Sequence, residues 1–170
     1  MTEEPRKQTP GVYRRKVGDA MVTVINDGFL DIPLDILRGT ERGDMEGLMR
    51  EHFHEGGPRL TVNAFVIETD RNRILVDAGG GSTTVYSMGQ LPRNLSAAGF
   101  ELSDFDTVLL THIHPDHSSG LMDESGKPLF PRADIVIHKD DFDVWSEPER
   151  RSRSGAAVPY TGSADALLSS

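Results

Sequence analysis

The stretch THIHPDHSSG, residues 111–120, places three histidines and an aspartate within six consecutive positions. It continues the apolar segment TVLLTH, residues 107–112, which is typical of a strand buried on both faces. At an extended strand end, residues two apart project to the same side, so His112 and His114 can present their imidazoles to one point. Pro115 keeps the preceding residue extended and can open a helical turn.

That turn would bring Asp116 and His117 to the same cavity. Two imidazoles would then face one metal ion, and a carboxylate and an imidazole would face a neighbouring second ion. Histidine and carboxylate ligands without thiolate suit zinc, and they also suit manganese, iron or cobalt. The alternative is a set of polar residues on an exposed loop, but this spacing directly after a buried strand favours a metal site.

Composition limits the other possibilities. A chain of 170 residues can form one domain with its own core. Its 18 basic and 27 acidic residues, a formal charge of −9, argue against a nucleic-acid partner. It has no cysteine, and neither a secretory signal nor an apolar run of membrane-spanning length is recognisable. We therefore expect a cytoplasmic protein that acts on a small molecule, without nucleic-acid or membrane partners.

Periodicity predicts strands that alternate with helices, which is typical of an α/β (α+β) sandwich. The predicted strands are residues 21–27, 60–69, 73–77, 107–112 and 134–138, with 60–69 and 73–77 paired as a hairpin and 134–138 buried like 107–112. The predicted helices are residues 45–53, 92–98 and 139–146.

The domain organisation follows from where these patterns begin and end. We expect an N-terminal extension at residues 1–19, a folded domain at 20–147 and a poorly ordered tail at 148–170. Of the last 20 residues, 12 are Ser, Gly, Ala or Pro, so this segment has little apolar surface to offset its ordering entropy.

The motif THIHPDH resembles the T-H-x-H-x-D-H signature of the metallo-β-lactamase-fold hydrolases. Residues 97–121 look like that family's helix, strand and metal loop in order, and RILVDAGGG, residues 73–81, is similar to its preceding strand. The resemblance covers about residues 20–146. It implies a four-layer αββα sandwich, of which this chain would form the N-terminal half with an incomplete second half.

The resemblance also implies roles for the residues of the loop. His112 and His114 would bind the first metal, and Asp116 and His117 the second, with two zinc ions in a complete site. Asp116 would in addition be the catalytic residue that orients a water molecule and accepts its proton.

Two residues outside the loop are further candidates. Asp77 would lie behind the loop and hold the ligands in orientation, although by itself it is a strand end before a glycine-rich turn. His138 closes a predicted strand and is a candidate ligand, set against the commoner reading of a core histidine with a satisfied hydrogen bond.

Residues 24–39 and 135–145 look like the lactonase and organophosphate-hydrolase branch of the family. That branch implies hydrolysis of a lactone, ester or phosphotriester by water that the two metals activate. Members of the family carry further ligands in a second half, whereas His138 is the one histidine here after His117. The alternative is therefore a truncated or frame-altered, inactive metal-binding fragment that needs a partner or the missing half. Its exposed sheet surface would favour a homo-oligomer.

A second His-x-His pair, His52 and His54, lies in EHFHEGG at the end of a predicted helix. Residues two apart on a helix diverge. We therefore expect a solvated helix end rather than joint metal ligation.

Overall fold

A computed structural model describes residues 11–54, 57–82, 86–147 and 149. Its strands are β1 (Val12–Val17), β2 (Ala20–Asp31), β3 (Arg59–Glu68), β4 (Arg73–Val76), β5 (Thr107–Leu109) and β6 (Asp134–Val136). Its α-helices are α1 (Arg42–Glu51), α2 (Leu91–Ala97), α3 (Pro115–Ser118) and α4 (Lys139–Ser146). None of these helices is long and apolar enough to cross a membrane.

The six strands form one sheet whose order follows the chain, from β1 to β6. Neighbouring strands from β1 to β4 are antiparallel, whereas β4, β5 and β6 run parallel. The predicted hairpin is confirmed as the antiparallel pair β3 and β4. Because β4 and β5 are parallel, their C-terminal ends meet at the same edge of the sheet, and the chain segments that follow both strands come together there.

Helices cover one face of the sheet. Side chains along β2 and β3 therefore alternate between buried residues, which point to the helices, and residues that are less buried on the other face. The core joins strand residues of that face to residues of two helices and to three phenylalanines. The strands contribute Ile25, Ala64, Val66, Leu75 and Val108, α2 contributes Leu91 and Leu95, α4 contributes Trp145, and the phenylalanines are Phe100, Phe105 and Phe130. The opposite face retains half-exposed apolar side chains such as Phe65 and Leu109. One helix layer on one sheet is the half-sandwich that the sequence analysis expected.

Four expectations need correction or fall outside the described residues. Val12–Val17 joins the sheet as β1, within the range 1–19 that was treated as an extension. The segment 134–138 was expected to be buried, but β6 is exposed because it is an edge strand. The predicted strand at 107–112 ends at Leu109, where the chain leaves the sheet. The tail at 148–170 lies outside the described residues, apart from 149.

Strand β2 contains a β-bulge at Asp27. The register with β3 shifts between Asn26 and Gly28, so Asp27 is the extra residue on its strand. Gly28 has φ +137, and a Cβ there would lie 1.9 Å from the carbonyl oxygen of Ser87. Only glycine fits this conformation and this close approach. The bulge also leaves the Asp27 side chain buried.

Candidate metal centre

The loop after β5 brings its three histidines together. The ring centroid of His112 lies 4.5 Å from that of His114 and 4.1 Å from that of His117. His114 is extended, with φ −90 and ψ 153, and α3 begins at Pro115 as the sequence predicts. The Ser118 hydroxyl and backbone N–H both donate to the carbonyl oxygen of His114 at 2.9 Å. These contacts close the loop into a short helical turn.

Asp77, at the end of β4, anchors the loop from behind. Its carboxylate accepts the backbone N–H of Thr111 at 2.8 Å, and the Thr111 hydroxyl lies 2.9–3.0 Å from its two oxygens. Its Oδ2 is also 2.8 Å from Nδ1 of His117. Asp77 is buried and has φ +62, a left-handed conformation that aspartate tolerates better than most residues. Strained backbone of this kind persists where several contacts hold it.

The contact with Asp77 determines which ring nitrogen of His117 can bind a ligand. With Nδ1 donating to Asp77, Nε2 points the other way and lies 3.2 Å from Oδ2 of Asp116. Burial opposes the charged form of His117, but the hydrogen bonds to Asp116 and Asp77 and their charges outweigh it and raise its pKa to about 9. The metal-free chain therefore carries a protonated His117 at neutral pH.

Two further loop groups, His112 and Asp116, have lowered pKa values. Burial is the main cause that lowers the pKa of His112, and the neighbouring His117 and His114 add to it. Burial would raise the pKa of Asp116, but the hydrogen bond and the charge of His117 outweigh it and lower the value. A neutral imidazole and an ionised carboxylate are the protonation states that bind metal ions.

Helix α4 supports the loop from the opposite side. Oδ2 of Asp141 accepts the backbone N–H of Ile113, between His112 and His114, at 2.6 Å. The Trp145 ring lies 5.9 Å from that of His114 in an edge-on arrangement. Ile113 itself is fully buried and packs into the core. Three contacts thus hold the loop backbone: the burial of Ile113 in the core, the hydrogen bond to Asp141 of α4 and the hydrogen bond to Asp77.

Asp27 is a supporting residue that the sequence analysis missed. Its buried carboxylate accepts three backbone N–H groups at 2.8–3.2 Å, those of Gly80, Gly89 and Leu91. Burial raises its pKa in spite of these bonds. The carboxylate therefore fastens the segment that follows Asp77 to the start of α2. The available signal was the Asn-Asp-Gly run inside a strand, which is typical of a bulge.

The residues present fit parts of a metal site. Nε2 of His117 and Oδ2 of Asp116 are 3.2 Å apart, and two donors on one tetrahedral zinc are separated by ~3.3 Å. The Asp77 contact matches the usual support of a metal-bound histidine by a carboxylate. Among the described residues, however, no group of three or more such side chains is placed to hold one ion. The described part of the loop thus brings three imidazoles and Asp116 close together without arranging three of these donors around one point.

The remaining histidines lie elsewhere. His138 caps the N-terminus of α4: its side chain is 73% exposed, and its Nδ1 accepts the backbone N–H of Asp140 at 3.3 Å. It is therefore neither a core residue nor, in the described residues, part of the ring cluster. His52 and His54 are exposed at the end of α1, as expected.

Comparisons with known proteins identify the family of the chain. The sequence profile of the Metallo-beta-lactamase superfamily matches residues 57–160, more than half of the chain. An atrochrysone carboxyl ACP thioesterase of Passalora fulva is 36% identical over 82 residues, 48% of this chain and 22% of that protein. The anti-Pycsar protein Apyc1 of Bacillus phage 010DV004 is 30% identical over 112 residues, 64% of this chain and 44% of the phage protein.

Solved structures share the fold over almost the whole chain. The hydrolase AbOPH of the beta lactamase superfamily has a TM-score of 0.84 and 26% identity, covering 95% of this chain and 56% of its own. The dizinc quorum-quenching lactonase AidC has a TM-score of 0.79 and 24% identity, and the match covers 94% of this chain and 59% of the lactonase chain. This chain thus spans less than two thirds of the length of these relatives. On the profile match over residues 57–160, the chain belongs to the metallo-beta-lactamase superfamily.

Proposed function

We propose that this chain carries the metal-binding half of a metal-dependent hydrolase that cleaves a lactone, ester or phosphotriester. The observation that carries the proposal is the loop after β5, where three imidazoles and a carboxylate converge and Asp77 orients one of them. Membership of a superfamily of hydrolases supports the reaction type.

His112 and His114 would hold one divalent metal, and Asp116 and His117 a second. Zinc is the first choice for this ligand set, with manganese, iron or cobalt as alternatives. The chemistry that such ions supply when bound is Lewis acidity, which polarises a carbonyl or phosphoryl oxygen and lowers the pKa of water towards neutrality.

The residues of the chain would orient the reactants and move protons. Asp116 is ionised and next to the ring cluster, so its carboxylate can orient a water molecule and accept its proton. Asp77 keeps Nε2 of His117 directed towards Asp116 through its bond to Nδ1. Asp141 and Trp145 keep the backbone and the ring of the His114 segment in place.

The substrate class rests on what the relatives cleave. A thioesterase hydrolyses an acyl thioester and a lactonase hydrolyses a cyclic ester, so both transfer an acyl group to water. The neighbour AbOPH is a hydrolase of the same superfamily. An uncharged acyl substrate is compatible with a chain of net charge −9, although this charge does not select it.

A second candidate function is an inactive metal-binding fragment that needs a partner or a further segment. The observation that favours it is that, among the described residues, no group of three or more such side chains is placed to hold one ion, whereas catalytic zinc usually has three protein ligands. The two candidates differ in metal content, because a working centre holds close to two ions per chain and a half-site one or fewer.

The test combines metal analysis with turnover. Purified chain is loaded with zinc, dialysed, analysed for metal and assayed with an acyl-homoserine lactone, an aryl ester and an aryl phosphotriester. Two ions per chain, with turnover that chelation abolishes and zinc restores, would support the hydrolase. One ion or fewer with background turnover would support the fragment. Turnover that is insensitive to chelation and to Asp116→Asn would contradict both.

A further inference from the structure

The turn that follows β4 is joined to the candidate metal loop by two backbone hydrogen bonds. We call residues 77–81 the glycine turn, because Asp77 and Ala78 are followed there by three glycines. The backbone N–H of Ala78 donates to the carbonyl oxygen of His117 at 2.8 Å. In the other direction, the N–H of Gly120 donates to the carbonyl oxygen of Gly79 at 3.0 Å. The position of the glycine turn therefore determines where the backbone of the loop lies.

The two segments are also in direct van der Waals contact. A Cβ added at Gly120 would lie 1.9 Å from the carbonyl oxygen of Ala78. A Cβ added at Gly81 would lie 2.8 Å from the carbonyl oxygen of Ser119. Neither distance leaves room for a side chain, so the backbones pack against each other with nothing between them. A displacement of the glycine turn must then displace the loop.

Asp27 holds the glycine turn from the side opposite the loop. Its Oδ2 accepts the N–H of Gly80 at 2.8 Å and that of Gly89 at 3.2 Å, and its Oδ1 accepts the N–H of Leu91 at 2.8 Å. A Cβ at Gly79 would lie 2.5 Å from Cγ of Asp27, so the fully buried carboxylate also packs against the turn. Because Asp27 belongs to β2, these contacts tie the turn to the sheet.

We propose that Asp27 is a positioning residue for Asp116 and His117, the pair assigned to the second metal. Asp77 contacts the ring of His117, whereas Asp27 sets the backbone that carries this pair, and it does so through the glycine turn. The inference rests on the proposed function for the role of the loop in metal binding. The mechanical connection itself is a property of the metal-free chain.

The two oxygens of Asp27 serve different segments, and this separates positioning from stability. Oδ2 holds the glycine turn through Gly80, whereas Oδ1 holds the start of α2 through Leu91. In Asp27→Asn the amide oxygen can take the place of Oδ2 and keep the turn. The amide NH₂ then faces the N–H of Leu91, so the start of α2 loses its acceptor. A purely structural role would make no distinction between the two oxygens.

The first experiment measures zinc affinity by competition with a chelator dye, at a temperature where circular dichroism shows each variant folded. Asp27→Ala should lower the affinity ~10-fold, the lower end of the range for groups that support metal ligands. Asp27→Asn should bind zinc nearly as tightly as wild type, although its free energy of unfolding falls. Leu95→Ala, a fully buried position on α2, should lower stability by leaving a cavity and should not change zinc affinity.

The second experiment follows amide hydrogen exchange in the metal-free chain. Asp27→Ala should reduce the protection of the Ala78 and Gly120 amides ~10-fold more than that of amides within β3, because the loss is local. Asp27→Asn should retain this protection. The measurement requires neither bound metal nor turnover. Failure of the proposed function would appear in metal content and turnover, whereas failure of this inference would appear in the exchange of these two amides.

A third variant tests the same connection from the side of the loop and does not depend on the folding of Asp27→Ala. Gly120→Ala places a methyl group against the Ala78 carbonyl, so the loop must move away from the glycine turn, and zinc affinity should fall ~10-fold. The matched control is Gly47→Ala on α1, where an added Cβ has no atom within 4 Å, and its zinc affinity should equal that of wild type.

Four results would overturn the proposal. Unchanged protection of the Ala78 and Gly120 amides in Asp27→Ala would show that the carboxylate does not position the loop. An equal loss of zinc affinity in Leu95→Ala would reduce the effect to stability. Zinc binding by Asp27→Asn as weak as that by Asp27→Ala would remove the assigned role of Oδ2. Equal affinities of Gly120→Ala and Gly47→Ala would show that the close contact does not couple the two segments.

Discussion

The chain contains two His-x-His pairs with identical spacing and very different surroundings. His52 and His54 follow α1, where both are exposed and only Met45 of the helix is buried. His112 and His114 follow a parallel strand, on either side of a fully buried residue, and their rings are 4.5 Å apart. The spacing is therefore not what makes a candidate metal site.

The difference lies in the contacts that fix the backbone. The segment of His112 and His114 is held by Asp77 from one side and by Asp141 from the other. Backbone hydrogen bonds join His52 and His54 to the preceding helical turn. A ligand pair needs a conformation that survives without the metal, because ordering it on binding costs free energy.

The comparison can be tested most strongly by removing one histidine from each pair. We expect His114→Ala to lower zinc affinity by at least ~100-fold, since loss of a ligand costs more than loss of its supporting hydrogen bond. His54→Ala should leave the affinity unchanged. Competition with a zinc chelator dye measures both variants, and equal losses would show that the two pairs are equivalent.

The next test removes the anchor rather than a ligand. Asp77→Ala leaves Thr111 and His117 without their buried acceptor, so we expect zinc affinity to fall ~10–100-fold and the free energy of unfolding to fall by about 2 kcal/mol. Asp70→Ala, at an exposed turn, is the control. The zinc affinity and stability of Asp77→Asn should lie between those of Asp77→Ala and Asp70→Ala. An unchanged zinc affinity in Asp77→Ala would show that Asp77 does not support the site.

A pH series gives a smaller but directional effect. Zinc must displace the proton of His117, whose pKa is about 9, so zinc affinity should rise about tenfold per pH unit below that value. Stability of the metal-free chain should change in the opposite sense. The folded pKa lies above the ordinary 6.5, so this stabilisation is complete below pH 6.5 and is lost as pH rises through about 9.

Calorimetric titrations and thermal unfolding across this pH range measure both trends. His117→Gln should flatten the fall in stability, because the titrating group is gone. His52→Gln, at the exposed helix end, should leave it in place. Stability that rises between pH 6.5 and 9 in the wild type, and not in His117→Gln, would contradict the assigned protonation.

The smallest effect is expected at α4. Asp141→Ala removes the acceptor of the Ile113 N–H, so we expect a loss of about 1–2 kcal/mol in the free energy of unfolding and less than a tenfold loss in zinc affinity. Asp140→Ala, on the same helix but with an 87% exposed side chain, should change neither. Denaturant titration and the dye competition assay check the pair, and equal effects would show that α4 does not support the loop.

Much of this molecule follows from short-range signals. The β3–β4 hairpin, α2 and α4 lie where apolar periodicity and turn residues predict them, because both depend on residues within a few positions of each other. The convergence of His112, His114 and His117 was also predictable, since an extended strand end followed by Pro115 restricts the backbone. The roles of these residues in binding metal remain predictions.

The supporting contacts were not predictable in the same way. Asp141 reaches Ile113 across 28 positions, and Asp27 reaches Leu91 across 64. Each is one of several similar aspartates in the sequence, and nothing local distinguishes Asp141 from Asp140. The sequence leaves His138 open between a candidate ligand and a core histidine for the same reason, because its exposure depends on β6 being the edge strand.

By itself, the sequence determined the ligand types, their spacing and the strand-to-helix turn that carries them, because these depend on local backbone preferences. Only the tertiary structure decided that Asp141 holds the loop at Ile113 and that Asp27 fastens the segment after Asp77 to the start of α2. Both outcomes depend on strand order and register, which pair residues far apart in the chain and which no short stretch of sequence encodes.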